Sequence, residues 1–486
     1  MNYLKKWILP GFTCVIAGLL SFQVVLAGDI VSNDISFNEI LKIKKTTDDP
    51  TPVYKEVNYL KDWVTQETWD KITSDPKEAR QAWEKMLGFK APDVTGTIAQ
   101  EIKPGKYTLA DKERLPFKEL MTPGIYARFN EPGAQGENIG GNFTEFEVIP
   151  TRQYYGNLAL SRDTMKNEGK ARLDEQGYAD EMTFEAGVAF PRPSGPHAGW
   201  QVIHNFTVGG YSIEDIVGVM YDVGIDKSFK KDRGGLYKYY IMKMARRSIM
   251  EPLGRWYDAR TEKLQESMAG LSVMYAPRDL YGNAYIDYTY DAPDKPNRRM
   301  LYTPLLRRIR LMTSSDSQDQ AVGMDYAGDD DAMLAQDLRP DKYPYEVKIL
   351  EEREFLFPTY TIDGETWIDS KNKFLWRDLK MERRPCYVIE MKQLDSNYIY
   401  SKRVYWVDKE NFIILMGEMY DQKGRLWRSQ NSHYSFNRDI GIFGWFQTWA
   451  WDHIDVHTSF ITAYEYPGEN MNRKEISPRR LMQGVK

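Results

Sequence analysis

Two imidazoles and a carboxylate stand at alternate positions in His453-Ile454-Asp455-Val456-His457. On an extended strand that spacing turns all three toward one face, which is how a metal site begins. The same strand spreads them over roughly 13 Å at ~3.3 Å per residue, too far for one ion without a bend. His197, His204 and His433 are the other histidines, so further imidazole ligands are scarce. The simpler expectation is a polar stripe facing solvent, with Val456 and Phe460 turned to the core, and no metal or cofactor.

The remaining reactive side chains lead to equally plain readings. His204 beside a strand has the chemistry of a general base, but a lone histidine there is ordinarily a hydrogen-bonded structural residue. Cys386 alternates with Tyr387 in an apolar run, the setting of a buried structural thiol rather than a nucleophile. Asp329-Asp330-Asp331, within an acidic loop over Asp325–Asp337, lacks the alternating oxygen ligands and central glycine of a calcium loop, and reads as solvated. The glycines of Glu131–Gly136 and Gly140-Gly141 lack the spacing of a phosphate cradle. No Gly-x-Ser-x-Gly elbow, His-Glu-x-x-His or triad occurs, so no catalytic residue is nominated.

The elements that would position these groups are mostly strands. Cys386–Lys392, Tyr398–Val407 and Phe412–Tyr420, continuing into Arg425–Arg428, read as an antiparallel meander. Its turns are Asp408-Lys409-Glu410-Asn411 and Asp421-Gln422-Lys423-Gly424, with Gly424 free to take positive φ. Further strand signals lie at 271–276, 284–290, 300–302, 345–361 and 366–368. In Leu305–Met312, Leu305, Ile309 and Leu311 alternate with Arg308 and Arg310, as in a half-buried strand. Two short strands are expected to flank a proline-rich turn within Met182–Phe206. Leu236–Met250 sets Tyr239, Tyr240, Met242, Met244 and Ile249 among basic residues and predicts an amphipathic helix within a helical insertion around 212–256.

Lys5-Lys6, the apolar run to Ala27 and the small-residue site Val25-Leu26-Ala27 read as an export signal over residues 1–27. Residues 28–150 then form a helical, loop-rich N-terminal extension, with Asp75 capping a helix that begins at Pro76. Residues 151–486 form the sheet domain. Of the 2 cysteines, cleavage leaves Cys386, so no intramolecular disulfide is available and the core alone must hold the fold. The 65 basic and 70 acidic residues nearly balance, which argues against a nucleic-acid groove. An aromatic content of 13% favours strands and suits binding of large apolar surfaces.

Leu305-Leu306-Arg307-Arg308-Ile309-Arg310, Pro385-Cys386-Tyr387-Val388-Ile389-Glu390, Lys402-Arg403-Val404-Tyr405-Trp406-Val407-Asp408 and Tyr420-Asp421-Gln422-Lys423-Gly424-Arg425-Leu426-Trp427-Arg428 carry a family resemblance. The chain from about Gly187 onward resembles an exported Gram-negative family of unknown function, related to the outer-membrane lipoprotein-sorting proteins of LolA/LolB-like fold. These motifs are structural, not catalytic.

The resemblance implies a mainly β fold with α (α+β). In it a large, strongly curved antiparallel sheet, a half-barrel, holds a hydrophobic cavity under covering helices. It also implies a periplasmic carrier of a lipid, acyl chain or other hydrophobic ligand, working near the outer membrane. The implied partner is a membrane exporter of the resistance-nodulation-division type. In such a cavity Tyr398, Tyr400, Trp406, Phe412, Ile414 and Met416 are the candidate lining residues. Two alternatives stand beside the carrier: an exported metal-dependent or hydrolytic enzyme, and an envelope structural or interaction protein.

Overall fold

The computed structural model describes residues 61, 64–133, 140–180, 184–209, 213–292, 295–312, 316–334, 338, 343–358, 360–361, 367–369, 371–469 and 471–479. The expected export segment, 1–27, lies outside them, as does the start of the N-terminal extension. Among the described residues no helix is long and apolar enough to cross a membrane.

One 16-stranded sheet organises the chain. Its strands are β1 (Gly105–Thr108), β2 (Glu145–Val148), β3 (Asp215–Ile225), β4 (Lys231–Lys243), β5 (Glu266–Ala276), β6 (Ala284–Tyr290), β7 (Arg298–Thr303) and β8 (Arg308–Leu311). It continues with β9 (Tyr345–Phe357), β10 (Tyr360–Thr361), β11 (Lys380–Gln393), β12 (Lys402–Asp408), β13 (Ile414–Tyr420), β14 (Leu426–Asn437), β15 (Ile442–Asp452) and β16 (His457–Pro467). The spatial order is β1-β2-β11-β12-β13-β14-β15-β16-β3-β4-β5-β6-β7-β8, with β9 also paired to β11 and β10 to β14. All pairings are antiparallel except β2 with β11 and β10 with β14. Bulges interrupt the register of several neighbouring pairs, including β9–β11, β12–β13 and β13–β14, and such irregularities bend a sheet.

The helices are α1 (Gln66–Ile72), α2 (Pro76–Leu87), α3 (Phe117–Leu120), α4 (Pro123–Arg128), α5 (Leu158–Asn167), α6 (Ala198–Val208) and α7 (Ala259–Leu264). The Asp75 side chain accepts from the Lys77 N–H, Pro76 opens α2, and Gly88 at φ 87° closes it, as the sequence predicts. In the meander Gly424 has φ 75°, and Asp421 accepts from the Lys423 and Arg425 amides, fixing the β13–β14 turn.

The helices and loops within residues 64–133 and 140–167 pack against the sheet that β1 and β2 extend. A Cβ on Gly124 of α4 would fall 2.4 Å from Met416 Cε, and one on Gly141 would fall 3.0 Å from Trp451. Arg128 lies over the Trp451 ring at 4.5 Å. Two buried carboxylates pin the loops. Glu354 accepts from the Gly96, Thr97 and Ile98 amides and from Arg383. Glu410, in the β12–β13 turn, accepts from the Ala91 and Tyr154 amides and from Arg384.

Four expectations are corrected. The helix expected around 212–256 is the hairpin β3–β4. Both faces of this hairpin are covered, so apolar residues appear at every phase and hide the period of two. Its end uses basic residues inside, Arg247 pairing with Asp215 at 2.8 Å, instead of displaying them on a solvent face. Trp200–Asn205 lies in α6, not in a strand, with Val202, Ile203 and Phe206 buried at helical spacing. Leu305–Met312 yields only the short edge strand β8; Leu305 is 91% exposed and Leu311 57%, because among the described residues no strand pairs beyond that edge. The acidic stretch is no solvated loop: Asp325, Asp329 and Asp330 are buried.

Candidate functional site

The inner face of the sheet can be located by what crosses it. At the start of α6 a Cβ on Gly199 would fall 3.1 Å from Val347 of β9, and past its end the Gly209 carbonyl accepts from Lys243 Nζ of β4 at 3.1 Å. Along the sheet, β9 reaches β4 through β11, β12, β13, β14, β15, β16 and β3. At ~4.8 Å per strand that path is roughly 38 Å, while an 11-residue helix is about 16 Å long. The helix is a chord, so the sheet curls and the face beneath α6 is concave.

A second crosspiece, residues 316–334, lies across the same face. The Asp325 amide donates to Ser459 Oγ of β16 at 3.0 Å, and Arg233 of β4 donates to the Gly323 carbonyl. Farther along, Asp330 Oδ1 accepts from Arg403 Nη2 of β12 at 2.8 Å, and Asp330 Oδ2 from the Tyr400 hydroxyl at 2.7 Å. Asp329 accepts from the hydroxyls of Tyr398 at 2.6 Å and Tyr343 at 3.1 Å. Arg403 also donates to Tyr345 and Tyr398, Arg428 to Tyr400 and Asp452, and the Tyr405 hydroxyl to the Met333 carbonyl. Burial pushes the Asp329 carboxyl up against the pull of Tyr398 and Arg403, and pushes the Tyr398 and Tyr400 hydroxyls well up.

The concave face carries further polar groups beside the apolar Ala450 and Ile461. Ser432 and Thr448 bond across β14 and β15, and the Tyr239 hydroxyl donates to Glu465, whose carboxyl burial pushes up to about 7. Asp222 is fully buried beside the Tyr237 hydroxyl, and burial outweighs the pull of that hydroxyl and pushes its carboxyl up to about 8. What the arrangement offers is a curved wall rich in tyrosine, occupied by a segment of the chain's own.

A scan of family models places residues 116–480 in the family described as Protein of unknown function (DUF1329). The chain belongs to the DUF1329 family. This chain is similar to a solved domain from Vibrio parahaemolyticus described as a putative outer membrane lipoprotein-sorting protein, at 15% identity and TM-score 0.40, covering 58% of this chain and 98% of that one. A DUF1329 family protein from Desulfovibrio piger gives 15% identity and TM-score 0.40 over 58% of this chain and 95% of that one. A LolA superfamily protein from Nitrosomonas europaea gives 15% and 0.33 over 55% and 92%. No curated protein matches the chain.

In this DUF1329 chain the six candidate lining residues do not share a surface. Tyr398 and Tyr400 reach the concave face and are held by Asp329 and Asp330. Trp406 pairs with Met416 one position from the inward Tyr405, so both turn to the opposite face, while Ile414, across the bulge, pairs with Val407 instead and is buried. On the opposite face Met416 meets α4. Phe412 sits in the turn before β13 at φ 61°, buried.

The histidine–aspartate run is a turn, not a strand. Residues 453–456 join β15 to β16, with Val456 at φ 55°. His453 bonds Ser429 at 2.8 Å, while His457 bonds Asp325 at 2.6 Å and Asp232 at 3.0 Å. His453, Asp455 and His457 therefore do not converge, and no group of metal-ligating side chains occurs among the described residues. Cys386 is buried, and burial pushes its thiol well up, away from nucleophile chemistry. His204 is buried beside Phe190, and burial lowers its imidazole to about 3. The residues that sequence reading missed are Arg403, Arg428 and Asp330; their signal was an arginine alternating with apolar residues inside a central strand.

Proposed function

We propose that this protein is an exported carrier of a lipid or other hydrophobic ligand, acting in the periplasm in outer-membrane lipid or lipoprotein trafficking alongside a membrane exporter. One observation carries the reading: the concave face is covered by a segment of the chain, residues 316–334, held at Asp329 and Asp330 by arginine and tyrosine side chains and elsewhere by a small apolar cluster of Met324 and Tyr326 with Ala450 and Ile461. Buried ion pairs add little net stability over apolar packing of the same volume, but they hold one arrangement specifically. In this reading the segment is a gate: its directional bonds fix the closed position, its apolar cluster is small, and loss of the bonds favours the open position.

With the gate displaced, the face presents aromatic rings and strand backbones that a ligand can cover. Each methylene buried there contributes about 0.8 kcal/mol, so one acyl chain supplies ample affinity without covalent chemistry. Release then needs a partner that competes for the ligand or holds the gate open.

The test is binding of a fluorescent acyl-chain probe to wild type, Tyr398→Phe and Asp330→Asn. Loosening the gate should speed probe uptake severalfold in both variants. Equal uptake by all three proteins would count against the gate, and no uptake by any of them against the carrier.

A further inference from the structure

At the far edge of the sheet, on the side away from the acidic segment, lies a half-open cleft of about 760 Å³. That volume is within the ~300–1,000 Å³ range of small-molecule sites. Side chains alternate across a strand, so with Asp331 near enough to act on Tyr285, Tyr288 belongs to the outer face. Tyr288 and Tyr290 give the cleft an aromatic lining, extended at the edge strand β8 by Leu311, which is 57% exposed.

The mouth is basic. Arg260, Lys295, Arg298 and Arg473 line the cleft against a single carboxylate, Glu266. Arg473 neutralises Glu266 through two bonds of 2.9 and 2.6 Å. Lys295 rests over the Tyr290 ring at 3.7 Å and donates to the Leu264 carbonyl, keeping its charge at the rim. Arg260 and Arg298 are exposed, and neither has an ion-pair partner among the described residues. An apolar slot with uncompensated guanidinium groups at its mouth is complementary to a molecule with one anionic end and one apolar end.

We infer that this cleft binds an acyl-chain anion, its carboxylate or phosphate held by Arg260 and Arg298 and its chain lying between Tyr290 and Leu311. The site is separate from the concave face and does not require the gate to open.

The test compares oleate, oleoyl lysophosphatidate, neutral monoolein and inorganic phosphate by calorimetry on the full chain, wild type and Arg260→Glu/Arg298→Glu. Oleate and lysophosphatidate should compete for one site and bind at least tenfold tighter than monoolein, the tighter of the two naming the head group. Inorganic phosphate should not displace them. The double variant, at exposed positions and with an unchanged unfolding midpoint, should lose at least tenfold in affinity for both anions and keep its affinity for monoolein. Monoolein binding as tightly as oleate, displacement of oleate by inorganic phosphate, or full anion affinity in the variant would each overturn the assignment. Full anion affinity in the variant with lipid still co-purifying overturns the cleft and leaves the carrier standing; wild type that purifies empty yet passes the calorimetric test does the reverse.

Discussion

Asp330 and Arg403 face each other at 2.8 Å with neither side chain exposed, joining the acidic crosspiece to the central strand β12. Breaking such a pair strands a buried charge, so Asp330→Asn should cost about 3–5 kcal/mol. Replacing both partners, Asp330→Leu with Arg403→Met, should recover most of that loss. Urea midpoints of the three variants at constant m-value measure it.

Glu354 anchors the N-terminal extension through the amides of Gly96, Thr97 and Ile98. Burial raises its carboxyl, but these amides and Arg383 outweigh burial and leave it below the ordinary value. A depressed carboxylate contributes stability above its unfolded pKa and loses it as pH falls through the folded one. Glu354→Gln should therefore cost about 1–3 kcal/mol at neutral pH and progressively less in acid, with faster amide exchange at residues 96–98.

Asp222 carries the opposite sign. Its carboxyl is raised to about 8 by burial, so the folded state keeps a proton that the unfolded state releases. Stability is then highest below the unfolded pKa and falls as pH rises toward 8. Asp222→Asn should be close to neutral at pH 4 and stabilising by a few kcal/mol, in order of magnitude, at pH 8. Thermal unfolding at the two pH values tests this.

The strands of the meander were legible in the sequence because Asp421, Gly424 and the apolar runs obey local turn and strand chemistry. The β3–β4 hairpin was not, since Tyr239, Tyr240 and Met242 are covered on both faces and leave no alternation to read. The site was half legible. Tyr398 and Tyr400 do reach the concave face, whereas one bulge at Trp406 and Val407 sets which way its neighbours turn, and register shifts of that kind leave no mark in composition. The burial of Asp329 and Asp330 depends on Arg403, more than seventy residues away, and an acidic run alone reads as solvated.

His457 should titrate above an unperturbed histidine. Burial alone would lower it, but the bonds to Asp325 and Asp232 more than compensate. Its contribution is fully present below about pH 6.5 and is lost as pH rises through the folded pKa. His457→Asn should flatten that decline, and neither this change nor His453→Ala should alter metal content by elemental analysis.

The carrier reading stands or falls on whether the protein holds a hydrophobic molecule. Organic extraction of the purified protein followed by mass spectrometry tests this directly. The account predicts acyl-chain lipid at close to one per chain. Protein that is reproducibly empty and takes up no acyl-chain probe would contradict it.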